Sequence, residues 1–123
     1  MRINLLIIAV LLLGLSACRH HNHHDIKISV TESESRYRFY ASFPEQKTGQ
    51  IHRVVNSHMS PNGLFASSDD HLNVTTQMED HTNFAVKASP GIIEIEVDRK
   101  GNSPASYDRV KDMCMDIKAA LKD

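Results

Sequence analysis

Only two cysteines occur in the 123 residues, so no disulfide-dense scaffold holds this chain together. Neither sign of charge is in excess. Fourteen Lys plus Arg stand against 15 Asp plus Glu, a formal net charge of −1. A chain so balanced lacks the basic footprint of a nucleic-acid-binding protein. No HExxH, CxxC, GxSxG or GxGxxG spacing occurs, nor a P-loop, so the common sequence signatures of metal, nucleophile and phosphate chemistry are missing. No repeat is long enough to build a solenoid, and the length suits one small domain. What is present is 41% hydrophobic and 24% charged, the balance of a folded globular chain.

The one long apolar run is Leu5 to Leu13, preceded by the positive charge of Arg2. It is shorter than the roughly 20 apolar residues a permanent membrane helix needs, and has the length of a signal-peptide core. Leu15-Ser16-Ala17-Cys18 follows directly. In these residues the chain resembles bacterial lipoproteins, whose lipobox is a Leu, two small residues and a cysteine. The resemblance covers the first 18 residues and no further. It implies cleavage before Cys18, a diacylglyceryl thioether on that cysteine, and a third acyl chain, typically palmitate, on the new amino group. Two or more acyl chains anchor a protein stably, at about 0.8 kcal/mol per buried CH2. The alternative is a secretory peptide cut after Ala17 that leaves Cys18 unmodified. Arg19 stands where an inner-membrane retention signal would place Asp, so the lipoprotein sorting rule points to the outer membrane, facing the periplasm.

Residues 19–25 read Arg-His-His-Asn-His-His-Asp and hold four of the eight histidines. No apolar residue lets this stretch pack, so it reads as a short tether. Neutral imidazoles at His20, His21, His23 and His24 suit zinc, copper or nickel. A selective site also needs fixed geometry and partners that orient each ring. A solvated spacer, more positive as pH falls toward 6, is the plainer reading. The expected organisation is then a signal peptide at 1–17, a lipidated cysteine and His-rich tether at 18–25, and a single domain at 26–123.

Five stretches of that domain alternate with period two, as half-buried strands do. Their apolar sides are Ile26, Ile28 and Val30; Tyr37, Phe39, Ala41 and Phe43; Leu72, Val74, Thr76 and Met78; Phe84, Val86 and Ala88; and Ile93, Ile95 and Val97. Residues 31–35, 79–82 and Pro90-Gly91 read as turns. Two stretches carry helical spacing. One runs from about 45 to 58 on Ile51, Val54, Val55 and Met59, with Gly49 weakening its first turn. The other runs from about 105 to 121 on Tyr107, Val110, Cys114, Ile117 and Leu121, capped by Ser103-Pro104. The order β-β-α-β-β-β-α, with one apolar side per strand, predicts an α+β two-layer sandwich. Its mostly antiparallel sheet of about five strands carries two helices on one face. How the first hairpin joins the later three strands is left open.

Candidate chemistry is sparse. Cys114 lies on an apolar helical stripe, the setting of an inert packed thiol rather than a reactive one. His52, His58, His71 and His81 are scattered. His71 and His81 sit at opposite ends of one strand, about 33 Å apart at 3.3 Å per residue, too far to share a metal. Glu94, Glu96 and Asp98 form an acidic row on the polar side of one strand, with Arg36, Arg38 and Lys87 basic on others. Cross-strand ion pairing is their ordinary use, at roughly 0.2–1 kcal/mol per pair. Their functional use is a recognition face of Arg36, Arg38, Tyr40, Glu94 and Glu96. The expectation is a non-catalytic, lipid-anchored envelope protein that binds another macromolecule through the open sheet face or the 60–70 loop, with no cofactor and no nucleic acid. The alternative is a periplasmic metal-handling lipoprotein using the His20–His24 cluster. A small hydrolase would need a buried cleft with a perturbed ionisable group.

Overall fold

The computed structural model describes residues 25–122. The signal-peptide, Cys18 and His20–His24 readings fall outside the described residues. The elements are β1 (Lys27–Glu32), β2 (Arg36–Ser42), a 3-10 turn (Glu45–Lys47), α1 (Thr48–His58), β3 (Leu72–Gln77), β4 (Asn83–Ser89), β5 (Ile92–Asp98) and α2 (Pro104–Lys122). The architecture is the α+β sandwich expected, an antiparallel five-stranded sheet with two helices and the order β-β-α-β-β-β-α.

The strand order is β1-β2-β5-β4-β3. The open question of the first hairpin is thus answered by β2 pairing antiparallel with β5, in a register that sets Arg36 against Asp98 and Phe39 against Ile95. Alternation does the rest. Tyr37, Phe39 and Ala41 on β2, Phe84, Val86 and Ala88 on β4, and Ile93, Ile95 and Val97 on β5 are all buried on the helical side. Ile51 and Val55 of α1, and Tyr107, Val110, Met113, Cys114, Ile117 and Leu121 of α2, close the core from above. Removing most of a side chain such as Phe39 or Ile95 from this core costs roughly 2–5 kcal/mol.

Two local expectations shift. The first helix begins as a 3-10 turn and becomes α-helical only at Thr48, one residue before Gly49. Thr31 and Glu32, read as turn residues, extend β1 instead, and the tight turn is Ser33–Ser35, closed by the Ser33 N–H on the Arg36 carbonyl at 2.8 Å. The helical layer is also narrower than the sheet. At the edge strands, Val30 and Val74 point to the helical side, in register with Phe39 and Val86, yet stay 48% and 39% exposed.

The turns carry the residues their backbones require. Gly91 sits at φ 82°, where a Cβ would come within 3.0 Å of the Phe43 carbonyl oxygen. Its N–H donates to the buried Thr48 hydroxyl at 2.9 Å, tying the β4–β5 turn to the start of α1. Ser103 caps α2, its Oγ accepting the Ser106 N–H at 3.0 Å.

Candidate functional site: the uncovered sheet face

Both helices lie on one face, so the other face of the sheet meets solvent. The period-two alternation puts Arg36, Arg38 and Tyr40 of β2 there, beside Ile92, Glu94, Glu96 and Asp98 of β5. On the far side of β5 come Ala85 and Lys87 of β4, then Asn73 and Thr75 of β3.

The β2 and β5 charges are spent largely on each other. Arg36 Nε donates to Asp98 Oδ1 at 2.8 Å and lies 3.2 Å from Glu96 Oε1. Arg38 Nη2 lies 3.0 Å from Glu96 Oε2, and its Nε is 3.9 Å from Glu94 Oε1. The hydrogen bond to Asp98 is the main reason the Arg36 guanidinium holds its proton more tightly than usual. Arg36, Arg38, Tyr40, Glu94 and Glu96, the recognition residues expected from the sequence, are therefore brought together. Four of them are ion-paired across two strands, and the fifth, Tyr40, lies opposite Glu94.

The concave part of the face lies one strand further over. A concavity of about 490 Å³ opens at the end of the sheet, lined by His71, Leu72, Asn73, Lys87, Ala88, Ser89, Ile92 and Glu94. A second, of about 220 Å³, shares Asn73, Lys87 and Glu94 with it and extends to Ala85 and Glu96. A third, of about 260 Å³, shares Ala85 and Glu96 with the second and ends at Asp98, Lys100 and Asn102. The shared residues join the three into one shallow trough along β4. From Ser89 to Asn83 it runs roughly 20 Å at 3.3 Å per residue. The small Ala85 makes its floor, between Thr75 and Glu96 in register on either side. Lys87 lies opposite Glu94 in register but is in no ion pair among the described residues. Ile92 is 41% exposed at the mouth. The trough thus offers two cations in no ion pair among the described residues, Lys87 and Lys100, one loosely held carboxylate, an aliphatic contact, and neutral hydrogen-bonding groups at Asn73 and Thr75. The readable signal for it was an alanine in the middle of a strand's polar side.

The other chemical groups are used structurally. The Cys114 thiol is fully buried, and burial pushes its pKa up, against the thiolate. His52 is buried too, its ring stacked on Phe65 with centroids 3.6 Å apart and planes 7° from parallel. Its Nδ1 lies 3.2 Å from the Ser67 carbonyl oxygen, which can only accept, so Nδ1 carries the hydrogen. Burial holds the pKa of this imidazole below its ordinary value. The 60–70 loop is pinned from within. Asn56 Oδ1 accepts the Leu64 and Phe65 N–H groups at 2.7 and 2.8 Å, and Asn56 Nδ2 donates to the Phe65 carbonyl at 2.8 Å. Asp70 Oδ2 accepts from Ser67 and Ala66, and these backbone donors lower its pKa. The roles of His52 and Asn56 were not read from the sequence, because each joins a side chain to a loop backbone eight to fifteen residues away.

A smaller hollow of about 300 Å³ gathers His58, Ser60, Met78, Glu79, Asp80 and Arg109. Three of its groups are paired within the fold, Arg109 with Asp80 at 2.9 Å and His58 with Asp116 at 2.8 Å. Among the described residues no three His, Cys, Asp or Glu side chains converge as a metal site. His71 is at the mouth of the trough and His81 in the β3–β4 turn, at φ 70°. Comparison of the chain with protein-family models, with curated proteins and with solved structures finds no significant match.

Proposed function

We propose that the mature chain is a non-catalytic, lipid-anchored protein of the bacterial cell envelope, which captures an extended segment of another envelope protein along the trough over β4. The observation that carries this reading is the row of three adjoining open concavities from Ile92 to Asn102 on the helix-free face. An extended chain of about six residues matches its length at 3.3 Å per residue. Exposed groups of mixed character beside a stable ion-pair ladder are what a protein-recognition face requires. The anchor rests on Leu15-Ser16-Ala17-Cys18, with acylated Cys18 holding the protein to the outer membrane on its periplasmic side.

A photo-crosslinking residue at Ile92 or Lys87 tests the binding surface in intact cells. The expected result is one discrete adduct from both positions, absent when the same group stands at Asp108 on α2. Adducts equal at all three positions, or none, would sink the reading. Intact mass of the membrane-extracted protein tests the anchor. A mass equal to residues 18–123 plus a diacylglyceryl group and an acyl chain, lost in Cys18→Ser, is the expected outcome.

A further inference from the structure

The flank between β1 and α2 combines exposed apolar side chains with lysines. Tyr107 and Lys111 both reach Glu32 at the end of β1, which fixes where α2 starts over the sheet. The Arg99 N–H donates to the Ser35 carbonyl at 2.8 Å and Asn102 Nδ2 donates to the Asn83 carbonyl at 2.9 Å, so α2 starts at the end of the sheet that holds the β1–β2 turn and runs over the core from there. One turn past Lys111, about 6 Å along the helix, comes Met115. Two residues back from Glu32, about 6.6 Å along the strand, comes Val30. Each lies one step beyond the Glu32 junction, and they are 63% and 48% exposed, the most exposed large apolar residues among those described. Ile26, also exposed, continues the line toward the chain entry.

Helical spacing puts Lys118 three residues after Met115 and Lys122 seven after it, on the same side as Lys111. Lys111 is taken by Glu32 at 3.0 Å, whereas no ion pair among the described residues uses Lys118 or Lys122. Of the acids of α2, Asp116 points away from this flank, whereas Asp108 and Asp112, seven and three residues before Met115, border it on the side away from the lysines.

We infer that this flank rests on the anionic surface of the bilayer, with Met115 and Val30 entering the headgroup layer and Lys118 and Lys122 contacting lipid phosphates. The inference rests on the lipid anchor proposed above. Nine residue steps lead from Cys18 to Lys27, so the anchor stands within about 32 Å of the start of β1 at 3.3–3.6 Å per residue. A domain held so close presents its nearest flank to the lipid. Apolar side chains with lysines along one side bind such a surface through buried apolar area and attraction to anionic headgroups. Docking on the β1 side leaves the trough, three strands away, open to a partner.

The chain has no tryptophan, so one introduced indole reports its own surroundings. The lipidated protein is reconstituted in phosphatidylethanolamine–phosphatidylglycerol vesicles containing brominated lipid, as Met115→Trp, Val30→Trp and, on the helix-free face, Thr75→Trp. The expected result is blue-shifted emission quenched by brominated lipid at positions 115 and 30, and unquenched emission at 75. The quenching falls when phosphatidylcholine replaces phosphatidylglycerol, or when Lys118→Glu and Lys122→Glu are added. Unquenched emission at 115 and 30, in protein whose mass shows the acyl chains, overturns the docking and leaves the anchor standing. A mass without acyl chains overturns the anchor, and the docking with it.

Discussion

The Tyr107 hydroxyl donates to Glu32 Oε2 at 2.9 Å, and Lys111 Nζ lies 3.0 Å from the same carboxylate. One acidic side chain at the end of an edge strand thus holds the first turns of α2. The Tyr107 ring is also covered by the Arg99 guanidinium, 4.0 Å from its centroid.

This junction gives the fold an acid-sensitive contact. The hydrogen bond from Lys111, followed by that from Tyr107, lowers the Glu32 pKa below its ordinary value. An unfolded glutamate titrates at about 4.3. The stabilisation is therefore fully present above that pH and is lost as pH falls through the lower folded value. Glu32→Gln should lower the thermal midpoint at pH 7 and differ little from the parent near pH 3. Tyr107→Phe keeps the ring under Arg99 and removes only the hydroxyl, so it should show the same pH trend with a smaller amplitude. Thermal melts across pH 3–7 check both; a gap that does not narrow with acid would contradict the assignment.

His52 supplies a second pH dependence in a different window. Burial lowers its pKa in the folded state, while in the unfolded chain it titrates near 6.5. Between pH 7 and pH 5 the unfolded chain gains a proton that the folded one resists, so stability falls with pH. His52→Phe retains an aromatic ring to stack on Phe65 and has nothing to titrate. Its stability should be lower at pH 7, for want of the bond to Ser67, and its slope between pH 7 and 5 flatter. Urea melts at the two pH values measure that slope.

The Arg38–Glu96 pair should be small in energy but specific in register. A double-mutant cycle with Arg38→Ala and Glu96→Ala is expected to give a coupling of about 0.2–1 kcal/mol, as exposed cross-strand pairs do. The charge swap Arg38→Glu with Glu96→Arg should recover much of what either reversal loses. A coupling near zero would mean that the Arg38–Glu96 pair contributes nothing to holding β2 on β5.

The β2–β5 pairing also shows what the sequence made legible. Alternation at Tyr37, Phe39 and Ala41, and at Ile93, Ile95 and Val97, reveals which side of each strand is buried, because the side-chain period of a strand is two. It says nothing of which strands adjoin. That information lay in the charges, two arginines on one polar side and three acids on another, visible as potential ion pairs but compatible with several strand orders. Val74 had the pattern of a core residue, yet it stands on an edge strand beyond the cover of the helices, and a local pattern cannot report the width of the layer above it. The candidate site was legible in part. Glu94 borders the trough as well as the ladder, whereas the floor at Ala85 exists only because β3 and β5 flank it. Asn56 was illegible as the clamp of the 60–70 loop, since its partners lie eight and nine residues further on.

That clamp makes a direct prediction. Asn56→Ala leaves the Leu64 and Phe65 N–H groups without their acceptor and should cost roughly 1–3 kcal/mol, the penalty of stranding partly buried polar groups. Hydrogen exchange at Leu64 and Phe65 should accelerate more than at Ile95 in the sheet. Uniform acceleration would instead mean that the loop and the core open as one unit.

The thiols supply the simplest joint check of fold and anchor. Cys114 is wholly enclosed by the core, and burial raises its pKa, so the reactive thiolate is scarce as well as inaccessible. An aromatic disulfide reagent should leave it untouched in the native protein and label it only as denaturant opens the core. In the lipidated chain Cys18 is a thioether and cannot react. The expected count is therefore no thiol in the folded protein and one in the unfolded protein. A thiol that reacts in the folded state, and that Cys18→Ser removes, would show an unmodified N-terminal cysteine and refute the anchor. One that survives Cys18→Ser would place Cys114 at the surface and refute the packing of α2 on the sheet.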